Sequence, residues 1–189
     1  MSKQKLTVLE MNRLSVEEFH EAEKMPLIVV LDDVRSLYNI GSVFRTADAF
    51  RVESIYLCGI SATPQQAEGA PLCTVKAQQE IHKTALGAEE SVDWRYFPTA
   101  LEAVDKLHKD GYEVLAVEQC HGSMMLNDFH PEAGKRYAVI LGNEVKGVHQ
   151  EVIDQCDGCL EIPQYGTKHS LNVSVTGGII IWSFARSSL

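Results

Sequence analysis

The stretch "LIVVL" at residues 27–31, followed after a short polar loop by "NIGSVFRTADAF" at residues 39–50, decides the fold. The first run is continuously apolar, rich in β-branched residues and too short for a helix, so it predicts a strand buried on both faces. In the second run the apolar residues share one side of a helix: Ile40, Val43, Phe44, Ala47 and Phe50. Strand, loop and helix in this order are typical of a parallel sheet covered by helices.

The same alternation continues along the chain. It predicts strands at "SIYLCG" (54–59), "YEVLAVE" (112–118), "YAVILG" (137–142) and 159–162, and helices at "TALEAVDKLHKDG" (99–111), 148–154 and 170–186. The fold class is therefore α/β, a mostly parallel sheet with helices on both faces. Residues 61–84 have the least regular pattern and are a candidate substrate-side loop.

The N-terminal residues precede the first strand. Ser15 and Glu18 fit a capping box that opens a short helix. We therefore predict residues 1–24 as an extension with a short helix and residues 25–189 as one domain.

Composition and charge exclude several classes of protein. The 189 residues are 45% hydrophobic and carry a net charge of −9, which argues against coating nucleic acid through bulk positive charge. No apolar run approaches the roughly 18 residues of a membrane span, and no signal-peptide core is visible at the N-terminus, so a cytoplasmic location without membrane association is expected. Five cysteines, an odd number, are expected to be reduced thiols.

Ligands of open α/β sheets bind at the carboxyl ends of strands, which directs attention to three segments. In the first segment, residues 31–50, Asn39 is predicted to cap the helix. Gly41 leaves space beside Arg45 for a ligand or a partner backbone. A plain surface helix with an Arg45–Asp48 ion pair is the alternative. In the second, "LGNEVKG" at 141–147, glycines flank a carboxylate as in a ligand-cradling loop with free backbone N–H groups, although a plain strand-to-helix turn is also open.

The third segment is "IPQYGTKHSLNVSVTGGIIIW" at 162–182. A helix is predicted to start at Ser170 and to be buried all round, because apolar residues surround its helical wheel. The polar side chains of its first two turns, Asn172, Ser174 and Thr176, then need partners, either a polar ligand or neighbouring loops. The adjacent glycines 177 and 178 predict close packing beneath the helix.

Other signals are weaker. Neither a Walker phosphate loop nor a dinucleotide fingerprint is present. "CDGC" at 156–159 is a lone C-x-x-C without a second metal-ligand pair, and Cys120–His121 or His169–Ser170 would act as nucleophile pairs only if folding aligned them. No metal site is expected.

Taken together, the three segments resemble the three motifs of the SpoU/TrmH branch of the SPOUT superfamily of RNA methyltransferases. The matches are "NIGSVFRTADAF" to N-x-G-x-x-x-R-x-A, "VILGNEVKGV" to a hydrophobic run with G-x-E-x-x-G, and "IPQYGTKHSLNVSV" to I-P-x-x-G-x-x-x-S-L-N-V-S. The resemblance implies a C-terminal trefoil knot, S-adenosylmethionine as methyl donor, a homodimer, and transfer to a ribose 2′-oxygen of structured RNA. The compact size favours tRNA over rRNA.

The resemblance also implies roles for individual residues. The catalytic or substrate-positioning set would be Arg45, Asn39, Glu144, Ser170 and Asn172, and the donor would be held by Gly142, Asn143, Ile162, Leu171 and Val117. A guanidinium is a poor base, so Arg45 is assigned to orienting phosphate and stabilising alkoxide charge, with proton removal left open. Glu144 would anchor Arg45 or a neighbouring amide.

Two other functions are open at this point. The chain could be a catalytically inactive RNA- or ribosome-binding protein of the same fold, although all five polar motif residues are intact. Its acidity is also compatible with a small-molecule methyltransferase.

Overall fold

A seven-stranded parallel sheet forms the centre of the molecule. The computed structural model describes residues 3–7 and 9–187. The strands within these ranges are β1 (Met25–Asp32), β2 (Val52–Cys58), β3 (Trp94–Phe97), β4 (Glu113–Val117), β5 (Met124–Met125), β6 (Tyr137–Leu141) and β7 (Gly158–Glu161). The strand order is β3-β2-β1-β6-β4-β7-β5, and every pairing between neighbours is parallel. The predicted α/β class is confirmed.

Helices surround the sheet, preceded by a 3-10 turn (Leu9–Met11). In the described part of the chain they are α1 (Val16–Glu21), α2 (Leu37–Ala49), α3 (Val75–Ala85), α4 (Ala88–Ser91), α5 (Ala100–Lys109), α6 (Gln150–Ile153) and α7 (Val173–Ser187). Buried residues of α2, α3 and α7 belong to one apolar cluster, and those of α5 and α6 to a second. The sheet is thus covered on both faces. Among the residues described, no helix is both long and apolar enough to cross a bilayer.

Strand β1 shows why the opening stretch decides the fold. Leu27, Val29 and Leu31 belong to the first apolar cluster, whereas Ile28 and Val30 belong to the second. All five side chains are buried, because β1 lies between β2 and β6 with helices above and below it. A continuous apolar run is what such a position requires.

The N-terminal helix α1 is capped as predicted. The Ser15 hydroxyl accepts a hydrogen bond from the Glu18 backbone N–H, and the Glu18 carboxylate accepts one from the Ser15 N–H. Its buried Phe19 joins the first apolar cluster. The domain boundary at residue 25 remains a prediction, as does the trefoil knot, because strand order alone does not record how the chain is threaded.

Two predicted helix starts were wrong. Helix α2 begins at Leu37 and its N-cap is Ser36, whose hydroxyl accepts from the Asn39 N–H at 3.3 Å, so Asn39 lies inside the first turn. Helix α7 begins at Val173, three residues after Ser170, because the Asn172 side chain accepts from the Ser174 N–H at 2.9 Å and takes the capping role.

Two further expectations need correction. Residues 75–85 of the predicted irregular segment form α3, capped by the Thr74 hydroxyl. Helix α7 is buried on one side only: Val175, Ile179 and Trp182 are 51%, 36% and 50% exposed. An apolar helical wheel cannot tell burial within one chain from burial against a second chain.

Candidate active site

A cavity of about 990 Å³ lies at the carboxyl ends of β4, β6 and β7. Its walls are the loops that follow these strands, together with the segment leading into α7. All five residues predicted to hold the donor line it, namely Val117, Gly142, Asn143, Ile162 and Leu171. Glu144, Ser170 and Asn172 of the predicted catalytic set also line it. The structure thus brings the second and third motifs together.

The loop after β6 is a closed turn. Asn143 and Gly147 exchange backbone hydrogen bonds at 3.0 and 2.9 Å, and the Asn143 side-chain oxygen accepts from the N–H groups of Val145 and Lys146. These N–H groups are therefore used within the loop. The expectation of free backbone N–H groups that cradle a ligand was wrong for these positions.

Gly142 is required by that same turn. A Cβ at this position would lie 2.1 Å from both the carbonyl carbon of Gly147 and the backbone nitrogen of Val148. The missing side chain therefore makes room for the protein's own backbone. A branched residue here would first disrupt the loop and only through the loop affect a ligand.

Glu118 is a cavity residue that the sequence analysis missed. Its carboxylate accepts from the N–H of Val148 at 3.1 Å and from that of Gln119 at 2.8 Å, so it links the loops after β4 and β6. Gly147, at φ +70°, has no room for a Cβ, which would lie 2.1 Å from the Glu118 carboxylate. The position of Glu118 at the carboxyl end of a predicted strand was the available signal.

A chain of polar contacts joins the three motifs. The Glu144 carboxylate accepts from the backbone N–H groups of Arg35 (3.0 Å) and Ser36 (2.9 Å) and from the Asn39 side-chain amide (3.0 Å). The Asn172 amide donates to the Asn39 side-chain oxygen at 3.1 Å. Asn39 therefore connects the loop after β6 to the start of α7.

The Glu144 carboxyl is held in its charged form. Partial burial opposes ionisation, but the hydrogen bonds from Arg35, Ser36 and Asn39 outweigh it and lower the pKa of Glu144 below its ordinary value of 4.5. Glu144 was predicted to anchor either Arg45 or a neighbouring amide. In the structure its carboxylate binds the Asn39 amide and does not contact Arg45.

The start of α7 satisfies its own polar groups. The Asn172 side-chain oxygen accepts from both the N–H and the hydroxyl of Ser174, at 2.9 and 2.6 Å, and the Asn172 carbonyl accepts from the Thr176 N–H. The Gln119 amide donates to the His169 carbonyl at 2.6 Å and so fastens this segment across the cavity. Local contacts therefore satisfy Asn172 and Ser174, whereas Thr176, the third residue of this prediction, lines the cavity.

Arg45 is not among the cavity residues. It lies on the exposed side of α2, and it forms no ion pair within residues 3–7 and 9–187. Asp48, its predicted ion-pair partner, instead accepts from the Ser91 hydroxyl at 2.6 Å. The space beside Gly41 is filled by α3, since a Cβ there would lie 2.2 Å from the Ile81 carbonyl oxygen.

A second cluster of polar contacts lies at the end of β1, next to the loop after β6. The buried Asp32 carboxylate contacts the backbone N–H and the Nδ1 of His149 at 3.3 and 3.0 Å. Burial raises the pKa of Asp32, and the His149 hydrogen bonds offset this only in part. Asp33 accepts from the Ile60 N–H, and its carbonyl accepts from the Asn143 amide. These bonds join the end of β1 to the loop after β6 and to α6.

Comparison with known proteins places this site in a family. The model of the SpoU rRNA Methylase family matches residues 26–182, most of the chain and all three motifs. The chain belongs to the SpoU methylase family. Within that family, the 23S rRNA (guanosine-2′-O-)-methyltransferase RlmB of Neisseria meningitidis is 26% identical over 176 residues, which cover 90% of this chain and 62% of RlmB.

Solved structures confirm the SpoU fold of the chain. A TrmH/SpoU tRNA modifying enzyme of A. aeolicus aligns with a TM-score of 0.72 at 23% identity, over 91% of this chain and 81% of that one. An AdoMet-bound rRNA methyltransferase of Sinorhizobium meliloti aligns with a TM-score of 0.74 at 23% identity, over 90% of this chain and 60% of that one. The chain spans about three fifths of the length of the curated relatives it matches.

Proposed function

We propose that this SpoU-family chain transfers a methyl group from S-adenosylmethionine to a ribose 2′-hydroxyl of structured RNA, with tRNA preferred over rRNA. The observation that carries the proposal is the cavity at the carboxyl ends of β4, β6 and β7, into which the second and third motifs converge. Two comparisons support the proposal. The chain aligns with an AdoMet-bound relative, which supports the donor, and it is similar to a guanosine-2′-O-methyltransferase, which supports the reaction.

The cavity lining fits this donor. Partly exposed apolar side chains of Val117, Ile162 and Leu171 offer an apolar surface for the adenine. Among the lining residues three carboxylates outnumber a single ammonium group: Glu118, Glu144 and Asp154 against Lys146. Such a lining favours a cationic sulfonium over an anionic phosphate. When bound, S-adenosylmethionine supplies an electrophilic methyl group, and no metal is needed.

The chain's own residues position the substrate. Glu144, Asn39 and Asn172 hold the loop after β6, α2 and α7 in one arrangement. Arg45 lies outside the cavity lining and has no acidic partner in the part of the chain that the structure describes, so its side chain is free to orient an RNA phosphate. Its second proposed role, stabilising charge that develops on the 2′-oxygen, rests on its place in the first motif. A guanidinium group is better suited to charge stabilisation than to proton removal.

The rim of the cavity suits RNA despite the acidic chain. Lys146 lines the cavity, Lys168 adjoins the lining residue His169, and Arg35 lies beside Glu144. Their side chains form no ion pair with the residues described. Tyr165, next to the lining residue Gln164, is 96% exposed and offers a surface on which a base can stack. In this proposal the three cationic side chains contact RNA phosphates, while the carboxylates of the cavity lining lie next to the donor.

The structural comparison supports tRNA over rRNA. The alignment with this chain covers 81% of the tRNA modifying enzyme but only 60% of the AdoMet-bound rRNA methyltransferase. We also infer a homodimer, because α7 exposes Val175, Ile179 and Trp182 on one face, with spacings of four and three residues. The cytoplasm, where the RNA substrate is found, is the expected location.

Titration with S-adenosylhomocysteine combined with a transfer assay tests the function. The wild type should bind this product and methylate RNA. Arg45→Ala should bind it equally well but transfer at least about a hundredfold more slowly, the scale of losing one group that stabilises developing charge. Arg95→Ala, an exposed arginine on β3, is the matched control and should behave as wild type.

The titration also separates the alternative functions. An inactive RNA-binding protein without a donor site would show no thermal stabilisation by S-adenosylhomocysteine. A small-molecule methyltransferase would bind it but would leave RNA unlabelled. Full transfer activity in Arg45→Ala would remove Arg45 from the proposed set.

A further inference from the structure

Two cysteines distant in sequence meet in the wall of the cavity. The Sγ atoms of Cys120, in the loop after β4, and Cys159, on β7, are 3.0 Å apart. Cys156, the other member of the C-x-x-C motif, donates its thiol to the Val152 carbonyl instead. The fold therefore pairs Cys159 with Cys120, a contact that the spacing of the motif does not indicate.

The surroundings of the two cysteines differ, although both are partly buried. Cys120 lines the open cavity, where a small solute can approach it. Cys159 does not line the cavity, and its thiol contacts the Glu118 carbonyl oxygen at 3.2 Å. Burial and the neighbouring Cys120 raise the pKa of Cys159 to about 12. The accessible Cys120 is thus suited to react first and Cys159 to resolve the product.

We propose that Cys120 and Cys159 form an oxidation site that hydrogen peroxide closes into an intramolecular disulfide. The Cys120 sulfur attacks one peroxide oxygen, the O–O bond breaks, and the departing oxygen leaves as water with the thiol proton. The resulting Cys120 sulfenic acid is attacked by the Cys159 sulfur, which forms the S–S bond and releases the hydroxyl as a second water. Two thiols and one peroxide thereby give one disulfide and two waters.

The bond would act on the wall of the cavity. It would tie the loop after β4, which contains Glu118 and Gln119, to strand β7. Gln119 in turn holds the His169 carbonyl at 2.6 Å, so the constraint extends to the segment before α7. The oxidation state of the pair would therefore change how freely one side of the cavity moves. The chemistry of the pair does not depend on the proposed methyl transfer.

Peroxide treatment of the reduced full chain tests the proposal. All five cysteines are free thiols in the structure. After peroxide, denaturing titration should find three of the five, and the intact mass should fall by two hydrogen atoms. Protease digestion should yield one disulfide-linked pair of peptides, containing Cys120 and Cys159, and dithiothreitol should reverse the change.

Variants assign the bond to this pair. Cys156→Ser should still lose two thiols, whereas Cys120→Ser and Cys159→Ser should form no intramolecular disulfide. Peptide mapping of the wild type keeps the test valid if a serine variant fails to fold. A Cys156–Cys159 bridge, a bond between two chains, or retention of all five thiols would overturn the proposal.

Discussion

Glu144 connects the chemistry of single residues to the shape of the site. Its carboxylate accepts hydrogen bonds from two backbone N–H groups at the start of α2 and from the side-chain amide of Asn39. An anion at the N-terminus of a helix is favourable, and each charge-assisted bond is stronger than a neutral one. Much of the ordering of the first two motifs therefore depends on the charge of Glu144.

Glu144→Gln should destabilise the fold in a pH-dependent way. At pH 7 we expect a loss of about 1 kcal/mol in the free energy of unfolding, kept small because the residue is exposed and solvent screens the charge. The pKa of Glu144 is lowered in the folded state, so its contribution is present above the ordinary value of 4.5 and is lost as the pH falls through the lowered folded value.

Urea denaturation of the wild type and of Glu144→Gln, above and below pH 4.5, measures the difference in their free energies of unfolding. This difference should become smaller below pH 4.5. Glu68→Gln, an exposed carboxylate in the loop before α3, should match the wild type throughout. Equal stability of Glu144→Gln and wild type at pH 7 would contradict the role given to this carboxylate.

At the residue scale, the sequence predicted which motif residues belong to the site but not which groups they contact. The sequence indicated Asn39, Glu144 and Asn172, and the structure joins them. It could not show that Ser36 rather than Asn39 caps α2, since both residues are good caps and the choice depends on where the preceding loop ends. Glu118 was missed because its partner, the Val148 N–H, lies 30 residues away.

At the scale of elements, the segment between β7 and α7 is the part of the chain that we propose contacts the substrate. Residues 162–172 contain no regular structure, line the cavity through Ile162, Gln164 and Leu171, and expose Tyr165. Such a loop, positioned by a strand of the sheet on one side and a helix on the other, is a common arrangement for binding residues.

Tyr165→Ala should weaken RNA binding without affecting the donor. Stacking of one base on an aromatic ring contributes about 1–3 kcal/mol, so the KM for RNA should rise at least about fivefold. Affinity for S-adenosylhomocysteine should not change, because Tyr165 lies outside the cavity lining. Tyr165→Phe keeps the ring and should keep the KM, and a normal KM in Tyr165→Ala would exclude stacking at this position.

Elements rich in apolar residues were predicted well and those poor in them were not. The buried strands β1, β2, β4 and β6 follow from short apolar runs. Helix α3 escaped prediction because most of its side chains are polar and only Ile81 and Ala85 are buried. Gly177 does pack closely, since a Cβ there would lie 3.1 Å from the Leu141 side chain, but Gly178 faces open space among the described residues.

For the whole molecule, the exposed face of α7 is the feature that a single chain does not account for. Val175, Ile179 and Trp182 lie on one side of a helix whose other side packs into the core. An exposed apolar patch of this kind suits a two-fold symmetric dimer, in which the same face of both chains would meet. The apolar helical wheel of α7 predicted burial all round, and a second copy of the chain would restore it.

Trp182→Glu should convert the proposed dimer into a monomer. Light scattering should give twice the chain mass of 21.0 kDa for the wild type and the single mass for the variant, because a buried unpaired carboxylate is costly. Ile179→Glu should do the same. Leu72→Glu, which changes an 82% exposed residue in the loop before α3, should remain dimeric. A monomeric wild type at micromolar concentration would contradict the inferred assembly.

The central claim concerns the atom that receives the methyl group, since methylation of a base and of a ribose could use the same donor cavity. Alkaline cleavage of RNA requires a free 2′-hydroxyl as the internal nucleophile, and 2′-O-methylation removes it. RNA labelled by this protein from radioactive S-adenosylmethionine and then hydrolysed in alkali should release its label in alkali-resistant dinucleotides. Label recovered in ordinary mononucleotides would place the methyl group on a base and contradict the proposed reaction.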